Sequence, residues 1–435
     1  MHLQLEFPMR SLRTALVTLL LVSAPAMLRA QQGDSAAIAD LRQRLDAVTR
    51  ELERMELQRA DVPLADTMQS GLAPAASKVY RVRQGVSLGG YGEMLYQNFA
   101  GTDQAGDAAA RPDRLDALRA VLYVGYRFSE HWLFNSELEF EHANTEDGGE
   151  AALEFGYLEY RPVSAFGVRA GLLLAPMGLI NEMHEPTTWL GATRPLTETF
   201  LIPSTWRENG IGIVGEHGIL AYRAYAMAGF DGATGYSAEE GLREGKQEGS
   251  KSLAENFGVV GRVDVTPQPG LTVGGSGYIG NSGQGVVDDQ GALHARTSII
   301  EGHVQFRARG FDLRALGALA SVDDAARINA FQGLTGDASV GSRLTGWYVQ
   351  GGYDVLHSSR TTAELLPYVR YEQVNTQQEV PDGFAADPAN DRQVISLGAM
   401  WKPISMIAVK GEYQIDRNEA DNGVNRVNVS VGYLF

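Results

Sequence analysis

The sequence predicts an all-β transmembrane barrel of about sixteen antiparallel strands, preceded by a short coiled-coil helix. Three observations predict it. The last stretch, Asn425 to Phe435, alternates strictly: Val427, Val429, Val431, Tyr433 and Phe435 on one face, Arg426, Asn428, Ser430 and Gly432 on the other. A period of two is a strand, not a helix. That plan repeats along the chain from Val86 onward, and the connections between repeats alternate long and short. A soluble sandwich has no reason to gather its long loops at one end, whereas a membrane barrel does.

The elements follow in chain order. Arg10 and Arg13 precede the apolar run Ala15 to Val22, the pattern of a signal peptide over residues 1–30, too short to favour a spanning helix. Residues 31–58 read as a helix, because Ile38, Leu41, Leu45, Val48, Leu52 and Met55 form an a/d heptad seam. A short periplasmic coiled coil on an oligomer, most simply a homotrimer, uses that seam; an amphipathic helix lying against the barrel is the alternative. Residues 59–85, with Pro63, Gly71 and Pro74, read as a linker. The barrel is assigned to residues 86–435, with strands at 86–97, 113–127, 131–142, 151–160, 167–174, 209–216, 219–229 and 256–265 in its first half. The second half gives 271–280, 294–306, 311–322, 344–354, 361–375, 392–401, 406–416 and 425–435.

Within the strands one face is apolar and the other charged. In 131–142, Trp132, Phe134, Leu138 and Phe140 oppose Asn135, Glu137, Glu139 and Glu141. Burying so many charges is costly unless they are paired, so the polar face is expected to line a water-filled lumen. The expected lining includes Glu93, Arg119, Glu137, Glu139, Glu141 and Arg169. It continues with Arg262, Glu301, Arg370 and Glu412. The near balance of sign suits polar or zwitterionic solutes rather than one sign of ion.

The longest connection, residues 175–208, is unusually apolar for an outside loop, while 230–255 is charged and Gly-rich and reads as solvated. The apolar loop must pack on something. It is expected to fold inward as the pore constriction, with Arg194, Arg207, Glu182, Glu185, His184 and Trp206 as the residues that set passage.

Here the sequence resembles the outer-membrane porin superfamily that includes the phosphate-selective porins O and P. The likeness lies in Leu88 to Glu93, in Gly171 to Gly178, in the stretch from Ile202-Pro203 to Gly212, in the coiled N-terminus and in the terminal Phe435. The resemblance implies a sixteen-stranded trimeric channel with an inward loop, and an assembly signal at Phe435 read by the barrel-assembly machinery. Phosphate-selective members carry Arg and Lys clusters along the pore. This chain departs there, with Glu182, Glu185, Glu198 and Glu208 beside Arg194 and Arg207 and almost no Lys on its strands, so that selectivity is not carried over.

Composition bounds the remaining choices. The 435 residues contain no Cys, which fits an oxidising periplasm and excludes thiolate metal sites and Cys nucleophiles. Without the leader, 34 basic residues face 52 acidic ones, which argues against a nucleic-acid partner. No Gly-x-Ser-x-Gly or His-Glu-x-x-His motif occurs, so the chain does not read as an enzyme. Glu137, Glu139, Glu141 and His142 read as lumen groups rather than metal ligands, and no cofactor is expected. The reading is a passive diffusion channel for small hydrophilic solutes in the outer membrane of a Gram-negative-type bacterium. Its surroundings would be lipid and lipopolysaccharide, with the N-terminal segment periplasmic. A plugged structural or adhesive barrel is the alternative, and an outer-membrane enzyme a more remote one.

Overall fold

A computed structural model describes residues 69–144 and 148–435. The leader and the heptad seam lie outside the described residues. Sixteen strands close into one antiparallel barrel. They are β1 (Gly85–Phe99), β2 (Arg114–Arg127), β3 (Trp132–Glu141), β4 (Glu150–Val163), β5 (Phe166–Leu174), β6 (Arg207–His217), β7 (Leu220–Ala228), β8 (Phe257–Gln268) and β9 (Leu271–Asn281). After a small loop hairpin, β10 (Val287–Asp288) and β11 (Gly291–Ala292), the wall resumes with β12 (Arg296–Ala308), β13 (Phe311–Val322), β14 (Arg343–Tyr353) and β15 (Glu364–Glu379). It ends with β16 (Asp391–Ile404), β17 (Ile407–Asn418) and β18 (Arg426–Leu434). The sequence-predicted strands coincide with these to within a few residues.

Closure rests on the terminal strand. β18 pairs with β1 from Tyr91↔Leu434 to Phe99↔Arg426. Phe435 continues the ladder by exchanging backbone hydrogen bonds with Gly90 at 2.9 and 3.1 Å. Gly90 must lack a side chain, because a Cβ there would lie 2.6 Å from the Phe435 ring. Closing the ring leaves no strand edge unpaired, as lipid requires.

The alternation of side chains is read directly from exposure. On β18, Val427, Val429 and Val431 are each 40% exposed, while Asn428 and Ser430 are at most 1% exposed. The outward face is apolar, with Phe128, Trp132, Tyr160 and Phe166 near the rim that carries the short turns. That rim, the turn end, holds connections such as 164–165, 218–219 and 309–310. The opposite rim, the loop end, holds 100–113, 175–206, 229–256, 282–295 and 323–342. The alternation is not perfect: turn-end residues 354–363 outnumber loop-end residues 419–425. Among the described residues no helix is long and apolar enough to cross a membrane, which says nothing of the strands.

Candidate functional site

The lumen is filled by two segments. The first is residues 69–81, within the stretch that the sequence reads as linker. It enters at the turn end and packs Leu72, Ala75, Ala76 and Val79 against Tyr91, Tyr123, Leu133, Phe155 and Tyr157, all buried. These aromatic side chains sit on the inward face of β1 to β4, where water alone would be a poor neighbour. Gly125 on β2 makes the niche, since a Cβ there would lie 2.7 Å from Val79. Polar groups fix the register. The Arg169 guanidinium donates to the Ser70 carbonyl (3.1 Å) and the Tyr80 hydroxyl (2.9 Å), and pairs with Glu159 at 2.6 Å. Asn135 donates to the Ala76 carbonyl at 2.9 Å, and Arg161 to the Ser70 hydroxyl at 2.6 Å.

The second segment is the connection 175–206. Asn181 staples its two ends, donating to the Ala175 and Trp206 carbonyls (2.7 and 3.0 Å) and accepting from the Trp206 N–H at 2.7 Å. Its buried apolar anchors are Met177, Leu179, Leu201, Ile202 and Trp206. From there it reaches wall strands all round the ring. Glu182 pairs with Arg223 of β7 at 3.3 Å, and His184 with Glu137 of β3 at 3.2 Å. The Thr188 carbonyl accepts from Arg314 of β13 at 2.7 Å. Thr193 donates to Glu412 (3.0 Å) and accepts from Gln414 (2.8 Å), both on β17. The Leu196 N–H donates to Glu372 of β15, and Glu198 accepts the Tyr348 hydroxyl of β14, each at 2.5 Å. Contacts on so many strands mean that the loop crosses the lumen rather than hugging one side.

The two segments meet at Glu185. Its carboxylate accepts the N–H groups of Ala75 (2.9 and 3.1 Å) and Ala76 (2.9 Å), fully buried. Burial pushes the Glu185 carboxyl up to about 7 in spite of those two donors, and Glu137 adds to the rise. Burial likewise raises Glu182, against Arg223, and raises Glu198, against Tyr348 and two backbone N–H groups. Burial, with Arg119 nearby, lowers the Arg194 guanidinium to about 10.

The predicted site residues separate into groups. All ten lumen candidates lie on inward faces, but most are buried. Glu93, Arg119, Glu137, Glu139, Arg169, Glu301, Arg370 and Glu412 are buried, and Glu141 and Arg262 are half-buried. Most are paired: Arg119 with Glu93 at 3.1 Å, Arg370 with Glu372 at 3.1 Å, Arg262 with Asp264 at 2.8 Å. His303 links Asp264 to Glu301 at 2.9 and 3.0 Å. Filling the lumen removes water, and pairing offsets the desolvation that water would have prevented. Of the loop candidates, Glu182, His184 and Glu185 face the lumen filling. Trp206 stacks on Phe230 (4.5 Å), and Arg207 pairs with Glu154 at 2.8 Å, so both belong to the loop's anchorage on the wall. Arg194 donates to Ser204 at 3.3 Å and has no ion pair among the described residues. The connection 229–256, read as solvated, instead buries Phe230, Tyr236 and Leu242 beside Trp206 and Phe200. The charges dominate its composition, but a few apolar residues decide its packing.

Sequence reasoning missed Glu154, Glu159 and the whole of 69–81. Glu154 hides in a register shift, where Glu137 pairs with Phe155 and Leu138 with Leu153. The inward aromatic residues on β1, β2 and β4 were the available signal for a lumenal partner.

Among the cavities of the described residues, one lies toward each end. The turn-end cavity, about 360 Å³, is lined by Gly71, Glu182, Gly218, Arg223, Arg262 and Asp264 among others. The loop-end cavity, about 320 Å³, is lined by Arg111, Leu196, Phe200, Arg392, Asp416 and Arg426 among others. They share no lining residue.

No family model matches the chain. An uncharacterized protein of Aquifex aeolicus (strain VF5) is 36% identical over 380 residues, covering 85% of this chain and 85% of that protein. Among solved structures, a loop L8 deletion mutant of OmpT, an outer membrane protein of Vibrio cholerae, matches with a TM-score of 0.52 at 12% identity, over 81% of this chain and all of that one. The Salmonella typhi OmpF complex with daunomycin matches at 0.50 and 13% identity, over 81% of this chain and 98% of that one. The anion-selective porin from Comamonas acidovorans matches at 0.50 and 13% identity, over 81% of this chain and 100% of that one. The likeness is to outer-membrane porins as a group, and at these identities it is one of fold. The chain belongs to the family of the Aquifex aeolicus protein, and its fold is the closed sixteen-stranded barrel of outer-membrane porins.

Proposed function

We propose that the protein is an outer-membrane channel for small hydrophilic solutes that is shut at mid-height in this state, with residues 175–206 as its constriction and 69–81 as a plug. The observation that carries this is the pair of separate cavities, one toward each rim, divided by segments joined to the wall through hydrogen bonds and ion pairs. No strand of the wall has to break for them to move. Arg194, without an ion pair, is the nominated gatekeeper best able to meet a passing charge; Glu182, His184 and Glu185 act by holding the closed arrangement. Arg207 and Trp206 anchor the loop base.

Burial of the lumen charges, among them Glu137, Glu159 and Arg370 at 0% exposure, favours a second reading: a permanently plugged structural barrel. Conductance in planar bilayers separates the two. Stepwise currents from the purified protein support the channel; a stable, silent barrel supports the plug. In either case the barrel sits in lipid and lipopolysaccharide, with Phe435 presented to the assembly machinery and the N-terminal segment in the periplasm. The heptad seam joins copies into a trimer. Polar substitutions at Ile38, Leu41, Leu45 and Leu52 are expected to shift the oligomer to monomers on native gels; an unchanged oligomer would place the contact elsewhere.

A further inference from the structure

The loop-end cavity differs from the rest of the lumen in how its charges are arranged. Below it, opposite charges touch: Arg119 with Glu93, Arg314 with Asp312 at 2.8 Å, Arg370 with Glu372. Around the cavity stand three arginines, Arg111, Arg392 and Arg426, and three carboxylates, Glu239, Asp387 and Asp416. None of the six is in an ion pair within 4 Å among the described residues. Charges of both signs thus line one cavity without pairing with each other.

The wall explains the spacing. Arg392, Asp416 and Arg426 point inward from three adjacent strands, β16, β17 and β18. In register, Val394 lies opposite Asp416 and Gln414 opposite Arg426. Asp416 is therefore a diagonal neighbour of both arginines, and diagonal neighbours stand about 7–8 Å apart. Arginine is long enough to bridge that spacing, yet neither arginine pairs with Asp416, and the cavity lies among the three. The arginines are also held in place. Arg392 lies over the Phe200 ring at 4.6 Å and donates to the Asn390 side chain at 2.9 Å, while its Nη1 is buried without a hydrogen-bond partner. Arg426 donates its Nε to Gln414 and lines the cavity. A buried guanidinium nitrogen without an acceptor is costly, and a carboxylate oxygen is the group that best relieves it.

We propose that this cavity is a binding subsite for small zwitterions of the amino-acid or dipeptide class, with the ligand carboxylate between Arg392 and Arg426 and its ammonium on Asp416. The arrangement deepens the channel reading and rests on it, since it names the solute class that the loop end admits. About 320 Å³ accommodates a dipeptide. A purely anionic ligand would leave Asp416 facing its charge, and a purely cationic one would face three arginines. Because Phe200 belongs to the constriction loop, an occupant of the subsite touches the element that closes the path.

The test is calorimetry on the detergent-purified full chain with glycylglycine, its N-acetylated form (anion only) and its amide (cation only). Binding is expected for the zwitterion and about tenfold or more weaker for either analogue, as for loss of a charge-assisted contact. Arg392→Gln, Arg426→Gln and Asp416→Asn should each weaken glycylglycine by a similar factor, with heat-resistant gel migration reporting the intact barrel. Equal binding of the N-acetylated anion overturns the proposal in favour of an anion site. No binding of any probe, or variants that bind as wild type, also overturns it. Conductance measured on the same preparation keeps the outcomes distinct: currents without binding refute the subsite alone, and binding without currents refutes the channel alone.

Discussion

The two halves of the barrel wall are built on the same alternation and do opposite things with it. On β1 to β4 the inward face mixes charge with Tyr91, Tyr123, Phe155 and Tyr157, and an apolar segment, 69–81, lies against it. On β14 to β18 the inward face carries Gln350, Arg370, Glu372, Glu412, Gln414, Asn428 and Ser430 beside Tyr348, Tyr368 and Met400, and the facing loop offers its polar groups the Thr193 carbonyl and hydroxyl and the Leu196 N–H. The first contact is hydrophobic with polar pins. The second combines hydrogen bonds, which water could replace one by one, with a smaller apolar cluster of Leu190, Leu366, Tyr368, Met400 and Ala408. The difference teaches where the filling is anchored and where it can let go: the aromatic half acts as the dock and the polar half as the side along which a path opens.

The largest expected effect comes from removing the filling on the polar side. Deleting residues 180–205 should raise single-channel conductance several-fold, because it takes away the contacts to β13, β14, β15 and β17 together. Unchanged conductance would mean that 69–81 alone shuts the path, and the comparison of halves would lose its meaning.

The next effect probes the aromatic half. Val79→Asp puts a charge into the niche above Gly125, where burial of an unpaired carboxylate costs several kcal/mol. The barrel should still fold, with 69–81 released and the open probability raised. Leu196→Asp, on a half-buried residue at the polar side, should change the open probability far less. Equal effects from the two substitutions would sink the distinction between dock and path.

How much of this was legible in the sequence follows from the same contrast. The strands were readable because their outward faces, such as Val427, Val429 and Val431, answer to lipid alone, and lipid imposes one rule everywhere. The inward faces answer to whatever else enters the lumen. Nothing in residues 69–81, with their Ala and Pro, announces a plug. Glu185 stood out in the loop by composition, but its partners, the Ala75 and Ala76 N–H groups, are backbone and leave no trace in sequence. The pairing of Glu198 with Tyr348 joins residues 150 apart. Such pairs depend on where a loop lands, not on local pattern. Strand alternation did locate the lumen charges; it could not tell that most would be buried and paired.

A smaller effect lies where the two segments join. The Glu185 carboxyl is raised by burial to about 7 in the docked arrangement, against about 4.3 when free in water. A raised carboxyl favours the docked state below the free value, and that contribution is lost as pH rises through about 7. Docking of 69–81 on the loop should therefore weaken between roughly pH 5 and 8, with open probability rising over the same window. Glu137, His184 and Lys78 face the same region and set the background. Glu185→Gln should flatten the profile, since an amide does not titrate. A profile that keeps its slope in that variant assigns the pH response to another group.

The smallest effect belongs to the polar half itself. Lys410 of β17 stands 3.7 Å from the centre of the Trp189 ring, buried, with no hydrogen-bond partner for its Nζ among the described residues. Trp189 is part of the constriction loop, so the contact ties one wall cation to the filling through a ring face. Opening the path by Val79→Asp would uncover Lys410 to passing ions while Glu93 and Glu412 stay nearby. In that background Lys410→Met should shift the cation-to-anion permeability ratio toward cations by roughly twofold, a modest change because one charge among several is removed. The same substitution at Arg169, on the dock side, should leave the ratio unchanged, since its guanidinium is committed to Glu159, Tyr80 and the Ser70 carbonyl. If Arg169→Met alters selectivity as much as Lys410→Met, ions pass along the aromatic half as well, and the division of the wall into dock and path fails.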